Sequence, residues 1–214
     1  MALVGIPGDP ASPLARPLAA LRRFGFPGKI FPVNPGYAEL GGFRCYPRLG
    51  DLPEPVDMAW VGVPAGRVTE ILEECIAAGI RSLVVVTAGF AETGAEGALS
   101  QSDLSRRIRD AGITLLGPTS IGFVNVWDRV PLSFSGALEL PHLRPGSLAI
   151  VSQSGGLGGS LLNRVQDRLL GVSYMISTGN EAGITLTDCL EFLVEDERTR
   201  AIVLIVEQVR EGER

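Results

Sequence analysis

Residues 151–165 read VSQSGGLGGSLLNRV: a short apolar run, the small polar turn Ser152-Gln153-Ser154-Gly155-Gly156, then apolar residues at helical spacing. A turn of this kind at a helix start can present a nucleophilic serine, bind a phosphoryl group, or simply close a strand-to-helix connection. A nucleophile elbow needs Gly-x-Ser-x-Gly, but Ser152 stands two residues before Ser154. The one histidine, His142, precedes the turn, so the Ser–acid–His order of that hydrolase class is excluded. First-turn N–H groups, the positive end of the helix dipole and the hydroxyls of Ser152 and Ser154 suit a dianionic phosphoryl group. The favoured reading is therefore a phosphate cradle of Ser152, Gln153, Ser154 and Gly155. A purely structural glycine-rich turn stands open beside it.

Five other loops of small or proline-containing residues follow apolar runs: GIPGDP at 5–10, NPGY at 34–37, VPAG at 63–66, TAGFAETG at 87–94 and GPTSIG at 117–122. In open α/β sheets the carboxyl ends of the strands form the ligand crevice, and glycine lets main-chain N–H groups approach a phosphate. Five such loops on one rim point to an extended nucleotide-like ligand or, failing that, to ordinary glycine-rich turns. The first loop is not Gly-x-Gly-x-x-Gly, and Pro7 has no N–H to offer. Asn34 occupies the place where an NAD-binding chain carries an acid for the ribose, which weakens an NAD(P)-dependent oxidoreductase reading.

The elements that must position these loops are legible as short Val- and Ile-rich runs alternating with amphipathic stretches. Strands are predicted at 2–4, 30–33, 58–63, 82–86 and 114–116, with helices at 14–24, 67–78 and 99–111. This alternation predicts a Rossmann-like, doubly wound parallel α/β sheet over residues 1–137. The proline- and glycine-containing segment 138–146 reads as a linker. Residues 147–214 form a second, flavodoxin-like α/β unit, with strands at 147–151, 173–176 and 201–207 and helices at 157–170 and 186–195. A strand without a covering helix near the end of the chain predicts that this unit is incomplete here, the rest being supplied by more chain or by a partner subunit.

Composition narrows the classes further. The 214 residues are 45% apolar with a net charge of −5, and eighteen of the nineteen cations are arginines scattered along the chain. No basic stripe exists, so nucleic acid is not an expected partner. No apolar run approaches a membrane span, and a cytoplasmic location is expected. Cys45, Cys75 and Cys189 are odd in number and widely spaced, which argues against a disulfide framework and a metal site.

The segments DPAS, GFPGKIFPVNPGY, CYPRLGDLPEPVDMAWVGVPA, LEECIAAGIRSLVVVTAGFAETG, LLGPTSIGFVN, SLAIVSQSGGLGGSLLN, STGNEAGITLTDCLEFLVED and TRAIVLIVEQV, in this order, resemble the NDP-forming acyl-CoA synthetases. More distantly, they resemble the alpha subunit of succinyl-CoA synthetase. The resemblance implies the CoA-binding portion of an acid–thiol ligase that acts through an acyl phosphate and a phosphorylated histidine lying outside this chain. It also implies ATP or another NTP, with Mg, held by an ATP-grasp domain or beta subunit, and a homo- or hetero-oligomer. Residue by residue, Gly5 and Gly8 would hold CoA phosphate, with Lys29 a further contact and Val33, Asn34 and Pro35 at the nucleotide end. Val63, Pro64, Ala88, Gly89 and Phe90 would line the pantetheine channel, and Gly117, Pro118, Thr119 and Ser120 would lie near the thiol. The family usually has Asn-Cys where this chain has Thr119-Ser120. The turn at Ser152 would receive the phosphohistidine, and Glu207 would match the glutamate that orients it, although Gln208 follows where the family usually has glycine. A non-catalytic CoA-binding regulatory or scaffold protein is the alternative that the Thr119-Ser120 departure favours.

Overall fold

Ala2, Leu3 and Val4 are apolar in succession and buried on both faces, the signature of a strand inside a parallel sheet. The computed structural model describes residues 1–209 and places this strand, β1 (Ala2–Val4), near the middle of the first of two five-stranded sheets. The chain continues through α1 (Arg16–Arg23), β2 (Phe31–Val33), the small hairpin β3 (Glu39–Leu40) and β4 (Phe43–Arg44), β5 (Met58–Val61), α2 (Ala65–Ala77), β6 (Ser82–Val85), α3 (Ala95–Asp110) and β7 (Thr114–Leu116). It then forms β8 (Gly122–Asn125), β9 (Val130–Ser133), β10 (Pro145–Ser152), α4 (Gly155–Asp167), β11 (Val172–Ser177), α5 (Leu186–Glu195) and β12 (Ala201–Ile205).

The first sheet runs β2-β1-β5-β6-β7, all parallel. On the outer edge of β2 a single parallel bridge joins Val33 to Tyr46, with Tyr46 N–H donating to Pro32 O and Asn34 N–H donating to Tyr46 O, each at 2.9 Å. Counting this one-residue strand as the third, the spatial order is 3-2-1-4-5-6, the Rossmann order, with its switch point between β1 and β5. One face of the sheet is covered by α2 and α3 through Val68, Ile71, Leu72, Cys75, Leu104 and Ile108. The other is covered by Leu18 and Leu21 of α1 together with Leu132 of β9.

The second sheet runs β12-β10-β11-β8-β9, with β8 antiparallel to β11 and β9 antiparallel to β8. It is therefore mixed, and it recruits two strands from before residue 138, within the span predicted to belong to the first unit. Their signal is weak because β8 opens on Gly122 and β9 contains Pro131, residues that interrupt a strand pattern, the proline being tolerated on the edge strand it occupies. The predicted strand 201–207 ends at Ile205, so Glu207 lies past it. Helix α4 starts at Gly155, two residues earlier than its apolar spacing suggested, because Gly155 and Gly156 form its first turn.

The sheets share a core instead of hanging on a linker. Ala20 of α1 packs with Val124, Ile150, Leu162 and Met175 of the second unit, while Leu18 and Leu21 face the first. Arg23 donates to the carbonyls of Leu138 and Glu139 within the predicted linker, at 3.1 and 3.2 Å. Among the described residues no helix is long and apolar enough to cross a membrane.

The carboxyl rims of the two sheets meet where the loop after β7 abuts the loop after β11. Ala182 N–H donates to Gly117 O, Asn180 N–H to Pro118 O, and Ile184 N–H to Leu115 O, at 2.9, 2.9 and 2.7 Å. Gly179 permits this approach: its φ is +60°, and a Cβ there would lie 2.2 Å from Pro118 O. Gly179→Ala is expected to destabilise the protein by about 2 kcal/mol or more, through left-handed strain plus backbone overlap, read as a lowered midpoint in urea unfolding.

Candidate functional site

Gly5 leaves β1 with φ +83°, and a Cβ on it would lie 2.7 Å from Gly62 O, so the carboxyl ends of β1 and β5 approach with no side chain between them. The crevice that opens there, at the switch point of the first sheet, measures about 470 Å³. Gly5, Val33, Asn34, Pro35, Val63 and Pro64 line it, six of the fifteen residues expected to contact CoA. The Asn34 side chain is structural: its Nδ2 donates to Ile6 O and its Oδ1 accepts from Gly36 N–H, both at 2.9 Å. It buckles the first loop to the second.

Other expected residues are placed elsewhere. Lys29 lies at the amino-terminal end of β2, its carbonyl accepting from the Met1 ammonium at 2.7 Å and its Nζ paired with Glu54, so it belongs to the opposite edge of the sheet. Gly8 lies under the Tyr37 ring and lines a second hollow against α1, where Ile6 and Pro10 also sit. Phe90 is buried in the core under α2 and α3. The N–H groups of Gly89 and Phe90 are not available to a ligand because both donate to Glu92 Oε1, at 2.6 and 3.2 Å. Ala88 in the same loop does not line the switch-point crevice. Desolvation alone would raise the Glu92 carboxyl, but the hydrogen bonds from Gly89, from the Asn180 amide across the rim and from Phe90 outweigh it and bring its pKa from 4.5 to about 2.

The loop after β7 is docked, not open. Ser120 is buried, donating to Ser177 O at 2.6 Å and accepting from Gly122 N–H at 2.8 Å. Thr119 has φ +57°, an outlier for a β-branched residue, and its buried Oγ1 has no hydrogen-bond partner. Gly117 also has a left-handed backbone, with Val85 O 2.2 Å from where its Cβ would be.

At the turn after β10, two of the four expected phosphate ligands serve the fold. Ser152 is fully buried and donates to Ser154 O at 2.6 Å. Gln153 uses its whole amide: Oε1 accepts from Glu207 N–H and Gln208 N–H at 2.7 and 2.8 Å, while Nε2 donates to Glu181 Oε1 and Gln208 O at 3.0 and 2.8 Å. Glu181 Oε1 also accepts from Thr178 Oγ1 and Leu186 N–H. Ser154 is the N-cap of α4 and its side chain accepts no cap bond, so the first-turn N–H groups at Gly155 and Gly156 keep their anion-binding capacity. They border a hollow of about 420 Å³ that also takes in Arg16, Phe134 and Asn163. Arg16 was not picked out from the sequence, because α1 is remote in the chain and only tertiary packing brings it here. The Glu207 side chain is exposed, and its main chain is held beside the turn by Gln153. His142 lines a separate hollow with Trp127 and Arg129. All three cysteines are buried, and desolvation pushes the thiols of Cys75 and Cys189 up to about 12, as inert core groups.

Residues 1–126 match the family described as CoA binding domain, and residues 145–214 match the succinyl-CoA ligase like flavodoxin domain. The chain is 35% identical over 218 residues to the alpha subunit of the ADP-forming acetate–CoA ligase I of Pyrococcus furiosus, covering all of this chain and 46% of that relative. It is 34% identical over 194 residues to the ADP-forming acetate–CoA ligase II of Archaeoglobus fulgidus, covering 90% of this chain and 28% of that one. Among solved structures, the dinucleotide-forming acetyl-coenzyme A synthetase 1 of Ca. Korarchaeum cryptofilum, in complex with phosphate and ADP, superposes with a TM-score of 0.91 at 33% identity. That alignment covers 99% of this chain and 45% of the other. The chain thus spans less than half the length of these relatives.

Two outcomes follow from the site geometry. Thr119→Asn should stabilise the protein by roughly 1 kcal/mol, since asparagine tolerates the left-handed backbone better than a β-branched residue, and a rise in thermal midpoint checks it. Because the folded-state pKa of Glu92 is depressed, its contribution is present above about 4.5 and is lost as pH falls toward about 2. The stability difference between the native chain and Glu92→Gln should accordingly shrink over that interval, as followed by denaturant unfolding at a series of pH values.

Proposed function

The chain belongs to the CoA-binding domain family, and from that premise we propose that it is the CoA-holding portion of an NDP-forming acyl-CoA synthetase. The observation that carries this reading is the switch-point crevice, where Gly5, Val33, Pro35, Gly62, Val63 and Pro64 offer main chain and small apolar groups at the strand ends and Arg48, Arg67, Glu70 and Glu74 form a charged flank. Such a wall suits a nucleotide with a long, thin, polar tail. Likeness over the whole chain to ADP-forming acetate–CoA ligase subunits supports the same assignment.

In this proposal the chain binds CoA through the first rim, and the α4 N-terminus, with Ser154, Gly155 and Gly156, faces a phosphoryl group carried by a histidine from outside the chain. Phosphoryl transfer depends chiefly on positioning and charge stabilisation, which an uncapped helix N-terminus offers. Glu207 stands beside that turn, poised to orient an incoming imidazole. Nucleoside triphosphate and Mg would be bound by a partner domain or subunit of the ATP-grasp kind, where the longer relatives have additional chain. Taken alone, the chain binds CoA and does not turn over.

Calorimetric titration of the chain with CoA, NAD and ATP tests the reading. CoA should bind while NAD and ATP do not compete at equal concentration; NAD binding without CoA binding would overturn it. Asn34→Ala, which unbuckles the first two loops, should weaken CoA binding by about tenfold, the worth of roughly 1.4 kcal/mol of lost preorganisation.

A further inference from the structure

We propose that Arg48 is the residue that recognises the phosphate on the adenosine ribose of CoA, and so makes this chain selective for CoA over nucleotides lacking that group. The inference rests on the CoA reading above and adds a specificity determinant to it. In a Rossmann sheet the adenosine ribose lies beyond the carboxyl end of the second strand, and the residue standing there decides between a free hydroxyl and a phosphate. Here that residue is Asn34, whose side chain is consumed by Ile6 O and Gly36 N–H, so it is not available to a ribose. The adjoining position is filled by the one-residue strand at Tyr46, which runs parallel to β2, and its carboxyl-side continuation brings Pro47 and Arg48 onto the crevice wall.

Two guanidinium groups line this crevice, and their commitments differ. Arg67 is tied to Glu70 by two hydrogen bonds at 3.1 and 3.2 Å. Arg48 has only a single ion-pair approach, to Asp51 at 3.9 Å, and its side chain is 74% exposed. The remaining acid on the wall, Glu74, accepts from the N–H of Leu49 at 3.2 Å. Arg48 is therefore the cation on this wall with its donors uncommitted, and a planar guanidinium offers the paired donors that a phosphate monoester accepts. The side chain needs no rearrangement of the core to reach into the crevice, because it belongs to a surface loop.

Dephospho-CoA differs from CoA only by this phosphate, and it is the discriminating probe. Titration of the native chain should show CoA binding about ten- to a hundredfold more tightly than dephospho-CoA, the range of a charge-assisted contact. Arg48→Gln should bind both at the weaker affinity, and Arg48→Lys should retain part of the preference. Raising the salt concentration should narrow the gap in the native chain. Equal binding of the two nucleotides by the native chain, or a full preference kept by Arg48→Gln, would overturn the proposal while leaving the CoA reading intact. Failure of both nucleotides to bind the native chain would overturn the CoA reading itself. Unfolding curves for the variants establish that they are folded; should Arg48→Gln be unfolded, the native preference and the Arg48→Lys titration decide.

Discussion

The carboxyl rims of two differently built sheets are locked together by main-chain hydrogen bonds between residues 115–118 and 180–184. Each pairing satisfies backbone groups that would otherwise be buried without a partner, so the loops after β7 and β11 cannot separate without exposing several at once. Side chains reinforce the seam. Asn180 reaches Glu92 and Gln101 from the first unit, and Ser120 reaches the Ser177 carbonyl of the second. The crevice on the first sheet and the helix start on the second are thereby held in one fixed relation.

Satisfying that seam consumes polar groups that would otherwise look like ligand contacts. Gln153 ties the end of β10 to the end of β12 and to Glu181, whose left-handed backbone at φ +55° is held by three donors to one oxygen. Glu92 does the same for the loop after β6. Both side chains act as supports that fix the loops around them. Preorganisation of this kind favours binding by reducing what must be ordered when a ligand arrives.

Near the switch point the chain avoids bulk. Gly62 accommodates the Trp60 ring, 2.6 Å from where its own Cβ would be, and Gly5 leaves room for Gly62. Trp60 is fully buried with its indole N–H unpartnered, a local cost accepted where the strand must pack tightly beneath the crevice. At the far edge of the second sheet the balance is reversed: β12 has half-exposed Val203 and Leu204, an apolar strand with one pairing edge engaged.

Sequence alone determined the type and order of the strands and helices of the first sheet, because buried parallel strands are continuous apolar runs and covering helices have a 3.6-residue period, both local properties. It also marked Gly5, Asn34, Val63 and Pro64, since loops at strand ends are punctuated by glycine and proline. Sheet membership of β8 and β9 was decided only by tertiary structure, because β8 pairs antiparallel with β11, a partner remote in the chain that no local pattern declares. So was the fate of each polar group. Ser152 and Gln153 serve the fold, Lys29 faces the wrong edge, and Arg48 and Arg16 come to line hollows, because hydrogen-bond commitment and proximity between distant segments are properties of the packed chain and leave no periodic trace in its sequence.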